Sequence, residues 1–234
     1  MSDMYTKHAV KYGEAVKDNI YNAHLERPST MALLDDVKGK NVIDMGCGSG
    51  IYASWLLEQS ANKVTCLDLS ANMVALTKES LGNNVEAYVQ DISEGLPKES
   101  DSSADVVICP LVLHYIKELK PVFEDVFRVL KPGGYMVFST HHPFVDFEYS
   151  TSGNYFECEH VNDEWNTIGT PVKVSFYRRS LTELCEAITS SGLVISRLNE
   201  GKVNEQVKKM CESTYQRLKN NPNFLFVRCE KPVQ

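Results

Sequence analysis

One seven-residue run, Asp44-Met-Gly-Cys-Gly-Ser-Gly50, constrains this chain more than any other. It ends the apolar stretch 41–45, which reads as a strand, and precedes 51–59, whose apolar side chains at 51, 52, 55 and 56 share one helical face. A glycine-rich bend between strand and helix lets the backbone turn tightly and lets a ligand approach the main chain. The helix that follows aims unpaired N–H groups and the positive end of its dipole at that place. An anionic group suits such a seat, a carboxylate as well as a phosphate. The spacing narrows the choice. A dinucleotide fingerprint would need glycine at 51, where Ile51 stands. Asp44, just before the bend, would repel a pyrophosphate and attract an ammonium. The bend therefore reads as a seat for an amino-acid moiety.

Short apolar runs alternate with amphipathic ones beyond the bend, the pattern of βαβ units and a parallel sheet. Strands are expected at 63–68, 85–90, 105–109 and 135–139, the one at 105–109 apolar enough to be covered on both faces. Helices are expected at 71–81 and from Pro121, the latter with Val122, Phe123, Val126, Phe127 and Leu130 inward and Lys131-Pro-Gly-Gly134 as its stop. A helix at 181–190, a strand at 193–198, a helix at 203–218 and a strand at 224–229 follow. The pattern implies an α/β fold with a doubly wound, Rossmann-like sheet between helical layers. The chain reads as one domain of four parts. Residues 1–39 form a helical cap, 40–140 a ligand-binding core, 141–179 an aromatic and polar insertion with two short strands, and 180–234 the rest of the sheet. The insertion reads equally as a lid or as surface decoration.

Asp44, Asp68 and Asp91 fall at the carboxyl ends of three successive expected strands, the edge where such sheets bind ligands. Asp68 could accept two hydrogen bonds from a ribose diol, and Asp91 one from an exocyclic adenine amine. The net charge of −7 leans away from a polyanionic partner and towards a small molecule. Seven cysteines without a CxxC pair argue against a disulfide framework or a zinc site. The nearest metal-like cluster, Glu157-Cys158-Glu159-His160, reads as a polar strand or loop. No apolar run approaches the roughly 20 residues of a membrane span, and the first residues lack an export signal, so a cytoplasmic location is the expectation.

These residues resemble the class I S-adenosylmethionine-dependent methyltransferase family. Val42–Gly50 is similar to its first motif, Leu67–Met73 to its second, Gln90–Ile92 to its adenine-contacting segment, and Asp105–Tyr115 to its fourth strand and active-site turn. Phe127–Gly134 resembles the approach to its fifth strand. The resemblance covers 40–140 and implies a seven-stranded, mostly parallel sheet with an antiparallel last strand. It implies S-adenosylmethionine as cofactor, with Gly46, Cys47 and Gly48 at its methionine portion and Asp44 near the amino group. Asp68 would hold the ribose, Leu69 and Met73 would flank adenine, and Asp91 and Ile92 would meet its polar edge. Cys109 and Leu111 would lie at the active-site turn.

Methyl transfer from a sulfonium is an in-line displacement, and a base is needed only if the attacking atom must lose a proton. His114, after strand four, and His141 and His142, after strand five, are the candidates, with His142 favoured because Pro143 fixes its direction. Tyr12, Tyr21, Tyr177 and Arg178 could close the pocket or orient an acceptor, Arg178 if that acceptor carries a carboxylate. The acids of metal-dependent catechol methylation and the Asp/Asn-Pro-Pro-aromatic signature of amino methylation are both missing, so neither a metal nor a DNA adenine is expected. The first expectation is methylation of a small molecule at O, N or C by a monomer or homodimer. The alternatives are a methylase of a modified tRNA base, a cofactor-binding regulator without turnover and, last, a nicotinamide-dependent oxidoreductase.

Overall fold

The computed structural model describes residues 2–233. Nine strands form: β1 (Asn41–Met45), β2 (Lys63–Asp68), β3 (Glu86–Val89), β4 (Ala104–Pro110), β5 (Leu130–His141), β6 (Glu159–Trp165), β7 (Val172–Arg178), β8 (Val194–Asn199) and β9 (Phe224–Glu230). Seven make one sheet in the order β3-β2-β1-β4-β5-β9-β8, and β6 and β7 pair separately as an antiparallel hairpin. The pairs from β3 to β5 are parallel, and β9 runs antiparallel to both neighbours. β9 is last in the chain but next to last in space. β1 and β4 lie side by side where the strand order reverses, the crevice in which doubly wound sheets bind ligands.

The continuous apolar strands sort their side chains by alternation, because successive residues face opposite sides. Ile43, Val107, Cys109, Met136 and Phe138 join one core with Phe123 and Val126 of α5 (Lys120–Val129) and Leu184 and Ile188 of α7 (Leu181–Ser190). Val42, Val106, Ile108 and Val137 join another with Tyr52, Ala53 and Leu56 of α3 (Ile51–Glu58) and Tyr215 and Leu218 of α9 (Glu212–Asn220). Caps fix where helices start. Ser70 Oγ accepts from Met73 N (3.3 Å) at the head of α4 (Ala71–Leu81), and Ser180 Oγ accepts from Glu183 N (3.1 Å) at the head of α7.

The N-terminal cap is α1 (Ala9–Ala15), a π turn over Asn22–Glu26 and α2 (Arg27–Met31). Two boundaries differ from the sequence reading. Lys131–Gly134 does not merely stop α5 but already belongs to β5: Leu130 pairs with Ala104, and a register shift absorbs Pro132 and the glycines before Tyr135 pairs with Val106. The expected helix at 203–218 is two, α8 (Val207–Met210) and α9, parted at Cys211, whose extended backbone (φ −158°, ψ 103°) lets both Val207 and Tyr215 reach the core.

Candidate active site

The glycine bend is built by local backbone demands. Gly46 has φ +79°, and a Cβ there would stand 2.1 Å from Cγ2 of Val112, so only glycine fits. Gly48 (φ +56°) instead faces open space, where a guest can meet the bare backbone. The N–H groups of Gly46 and Cys47 both donate to the Leu67 carbonyl, at 2.7 and 2.9 Å. Asp68 accepts from Gly48 N (3.0 Å) and Ser70 N (2.8 Å), so one carboxylate ties the first bend to the second.

A cavity of about 640 Å³ opens over this edge of the sheet, within the range of small-molecule pockets. Gly46, Cys47, Gly48, Asp68, Leu69, Met73, Asp91, Ile92 and Leu111 line it, and so do Tyr12 and Tyr177. Leu69 is 46% exposed at the cavity wall, an apolar surface suited to a flat ring. Leu111 holds a left-handed backbone (φ +53°), a strained conformation kept by hydrogen bonds from its N–H to Ser139 O and Oγ, each 3.0 Å.

The cap contributes residues that no motif announced. Glu26, 2% exposed, lines the cavity, and its carboxylate accepts from Thr30 Oγ1 (2.7 Å), Tyr52 OH (3.0 and 3.1 Å) and Ser139 Oγ (2.7 Å). Burial raises its pKa against those hydroxyls. Arg27 also lines the cavity; Nη2 donates to the Val16 carbonyl (2.8 Å), while buried Nε has no partner among the described residues. Tyr5 closes the roof. Its hydroxyl bonds that of Tyr115 (2.6 Å), its ring meets Tyr12 edge-on at 5.0 Å, and its carbonyl accepts from Ser70 Oγ (2.5 Å).

Asp44 is not on the cavity wall. It is fully buried behind the bend, and neither carboxylate oxygen has a hydrogen-bond partner among the described residues. Burial first, then the charges of Asp68 and Glu26, push its pKa up to about 8. Burial also raises Asp68. Three carboxylates thus crowd one end of the cavity.

The three histidines expected at this edge are all turned from the large cavity. His114 and His141 stack at 3.8 Å between centroids and line a separate small cavity with Asp146 and Arg179. Among the described residues neither ring nitrogen of His114 is bonded, and His141 Nδ1 lies 3.3 Å from Asp146 Oδ2 without hydrogen-bond geometry. Burial, followed by the charges of His141 and Arg179, holds His114 well below the usual imidazole range. His142, the favoured base, instead caps α6 (Pro143–Asp146), accepting from Phe144 N (3.2 Å) while Nε2 pairs with Glu200 (3.0 Å).

Three other expectations are corrected. Strand alternation sends Cys109 into the core beneath α5. Tyr21 lies outside the cavity, accepting from Arg217 Nη2 at 3.0 Å. Arg178 is 1% exposed, pairs with Glu159 and donates to Ser150 Oγ and Asn154 O, both 2.8 Å, so it pins the insertion rather than an acceptor. Among the described residues no cluster of three or more His, Cys, Asp or Glu is placed to hold a metal ion, and no helix is long and apolar enough to cross a membrane.

A family model described as a methyltransferase domain matches residues 43–138. Thiol S-methyltransferase TMT1B of Rattus norvegicus is 34% identical over 116 residues, 46% of this chain and 47% of the relative. A malonyl-[acyl-carrier protein] O-methyltransferase of Pectobacterium atrosepticum is 30% identical over 145 residues, 60% of this chain and 56% of the relative. The chain thus spans about half the length of the curated relatives it matches. An S-adenosylmethionine-dependent methyltransferase structure from Mesorhizobium loti superposes with a TM-score of 0.70 at 25% identity, covering 88% of this chain and 97% of that one. With the sheet order, the glycine bend and the acids at the strand ends, these matches identify residues 43–138 as a methyltransferase domain and give the chain the fold of S-adenosylmethionine-dependent methyltransferases.

Proposed function

We propose that this chain binds S-adenosylmethionine at the glycine bend and transfers its methyl group to a small-molecule acceptor held under the N-terminal cap. The crowding of Glu26, Asp44 and Asp68 carries the reading. Two buried carboxylates beside a third are costly, and a cationic guest relieves that cost. The residues fit such a guest. Asp44 and Glu26 suit its ammonium, Arg27 its carboxylate through the planar guanidinium, and Asp68 a ribose diol. Leu69, Met73 and Ile92 suit the faces of adenine, and Asp91 its amine.

The cofactor supplies a methyl group on a cationic sulfur that leaves as a neutral thioether. The protein's own part is positioning, an effect worth up to roughly 7–11 kcal/mol in well-oriented systems. Tyr5, Tyr12 and Tyr115 roof the site and exclude water. Leu111, held by Ser139, sets the wall on the side of β4. Calorimetric titration with S-adenosylhomocysteine and with NAD tests the cofactor reading; binding of NAD alone rejects it. Labelled cofactor incubated with fractionated extract then tests transfer, and labelling confined to bulk RNA, or absent, rejects a small acceptor.

A further inference from the structure

Aromatic rings are prominent in the wall of the large cavity, with one imidazole among them. Of six histidines in the chain, His160 is the one whose side chain lines the large cavity. It sits near the start of β6, opposite Tyr177 of β7, with their rings 5.0 Å apart. The hairpin's alternation explains why it faces inward. Val161, Val174 and Phe176 bury one face, the face that packs on His141, and the other face turns His160, Ser175 and Tyr177 to the cavity. Ser2 Oγ donates to the Lys173 carbonyl (2.7 Å), fastening the hairpin to the cap. Across the cavity wall stand Tyr5, Tyr12 and Tyr115.

We infer that His160 is the general base of the transfer and that the acceptor is a planar ring bearing an ionisable O–H or S–H. This rests on the cofactor reading above. Two of the rival bases in the wall are already committed. Glu26 is occupied by three hydroxyls and Asp68 by two backbone N–H groups. No hydrogen bond engages the ring nitrogens of His160 among the described residues, so one is free to take a proton. The tyrosine rings supply faces and edges for an aromatic acceptor. A base is worth having only when the attacking atom must shed a proton, which selects a phenol or thiol over an amine that can attack through its free lone pair. The acceptor's proton passes to the imidazole as its oxygen or sulfur lone pair forms the bond to the methyl carbon. The electron pair of the breaking C–S bond stays on the donor sulfur, leaving a thioether and an imidazolium that later loses its proton to solvent.

The test compares wild type, His160→Gln and His160→Ala with a phenol, an aryl thiol and an arylamine as acceptors. Binding of S-adenosylhomocysteine, measured first by calorimetry, is expected to be the same in all three proteins. Wild type is expected to methylate the phenol or thiol in preference to the arylamine. In His160→Gln, kcat for the phenol is expected to fall about 100-fold with KM within about 3-fold, and the acidic limb of the kcat profile to disappear. Added imidazole is expected to restore part of the rate of His160→Ala. A kcat change below about 3-fold, an acidic limb that survives substitution, preference for the arylamine, or no transfer to any of the three overturns the assignment. Failure of wild type to bind S-adenosylhomocysteine overturns the cofactor reading instead, and is seen before any acceptor is added.

Discussion

On the proposed reading, Asp44 is expected to make the affinity for the cofactor depend on pH, through its charge behind the bend. Its carboxyl titrates near pH 8 because it is buried beside Asp68 and Glu26. An amino-acid guest needs it ionised, while the guest's own α-amino group, with a pKa of about 8, must be protonated. At pH 6 roughly 1% of Asp44 is ionised and nearly all of the amine is charged; at pH 8 each is about half in the right state. Apparent affinity scales with the competent fraction, so binding is expected to be about 25-fold tighter at pH 8 than at pH 6, near 2 kcal/mol, and to weaken again above pH 9. Calorimetric titration with S-adenosylhomocysteine from pH 5.5 to 9.5 measures this. Asp44→Asn is expected to flatten the acidic limb. A wild-type affinity constant between pH 6 and 8, or an acidic limb unchanged in Asp44→Asn, refutes the reasoning. The ligand-free protein should show the complementary effect. A carboxyl raised on folding contributes stability that is full below about pH 4 and lost as pH rises to about 8, and Asp44→Asn should remove that slope from urea midpoints.

Gly46→Ala should lower stability by about 2 kcal/mol or more, since it adds a 2.1 Å clash to a left-handed backbone, whereas Gly48→Ala should cost about 1 kcal/mol yet still weaken S-adenosylhomocysteine; Tm and Kd read the contrast. His114 is depressed in the folded state, so its contribution to stability is present above about pH 6.5 and lost as pH falls below it; His114→Phe should make calorimetric Tm less sensitive to acid between pH 6.5 and 5. Ser139→Ala leaves Glu26 short of one donor and Leu111 N–H short of one acceptor, and should cost about 1–3 kcal/mol in urea unfolding.

What could be read from the sequence was what short stretches decide for themselves. The bend at Gly46–Gly50 needs left-handed backbone, Asp68 ends a strand and Asp91 follows one by two residues, so their place at the sheet edge follows from alternation of strands and helices. The histidines were not legible, because chain position brings 114, 141 and 142 to the right edge but leaves the direction of each ring to what packs on it. His141 turns under Phe176 and Trp165 of the insertion, whose docking no local pattern encodes. Glu26 and Arg27 come from a cap without a motif. The one available signal was an acid flanked by Leu25 and, four residues on, a hydroxyl at Thr30, spacing that suits a buried carboxylate. His160 was visible as part of a polar cluster, but only the pairing of β6 with β7 shows which face it takes.

The Ser139 hydroxyl has a single hydrogen. Given to Glu26 of the cap, it leaves the oxygen's lone pairs to accept the Leu111 N–H, so one atom joins the roof of the chamber to its floor. A substitution at Glu26 is therefore felt at the Leu111 turn through one shared oxygen, while the Ser139 carbonyl, which also accepts from Leu111 N–H, keeps that turn in place.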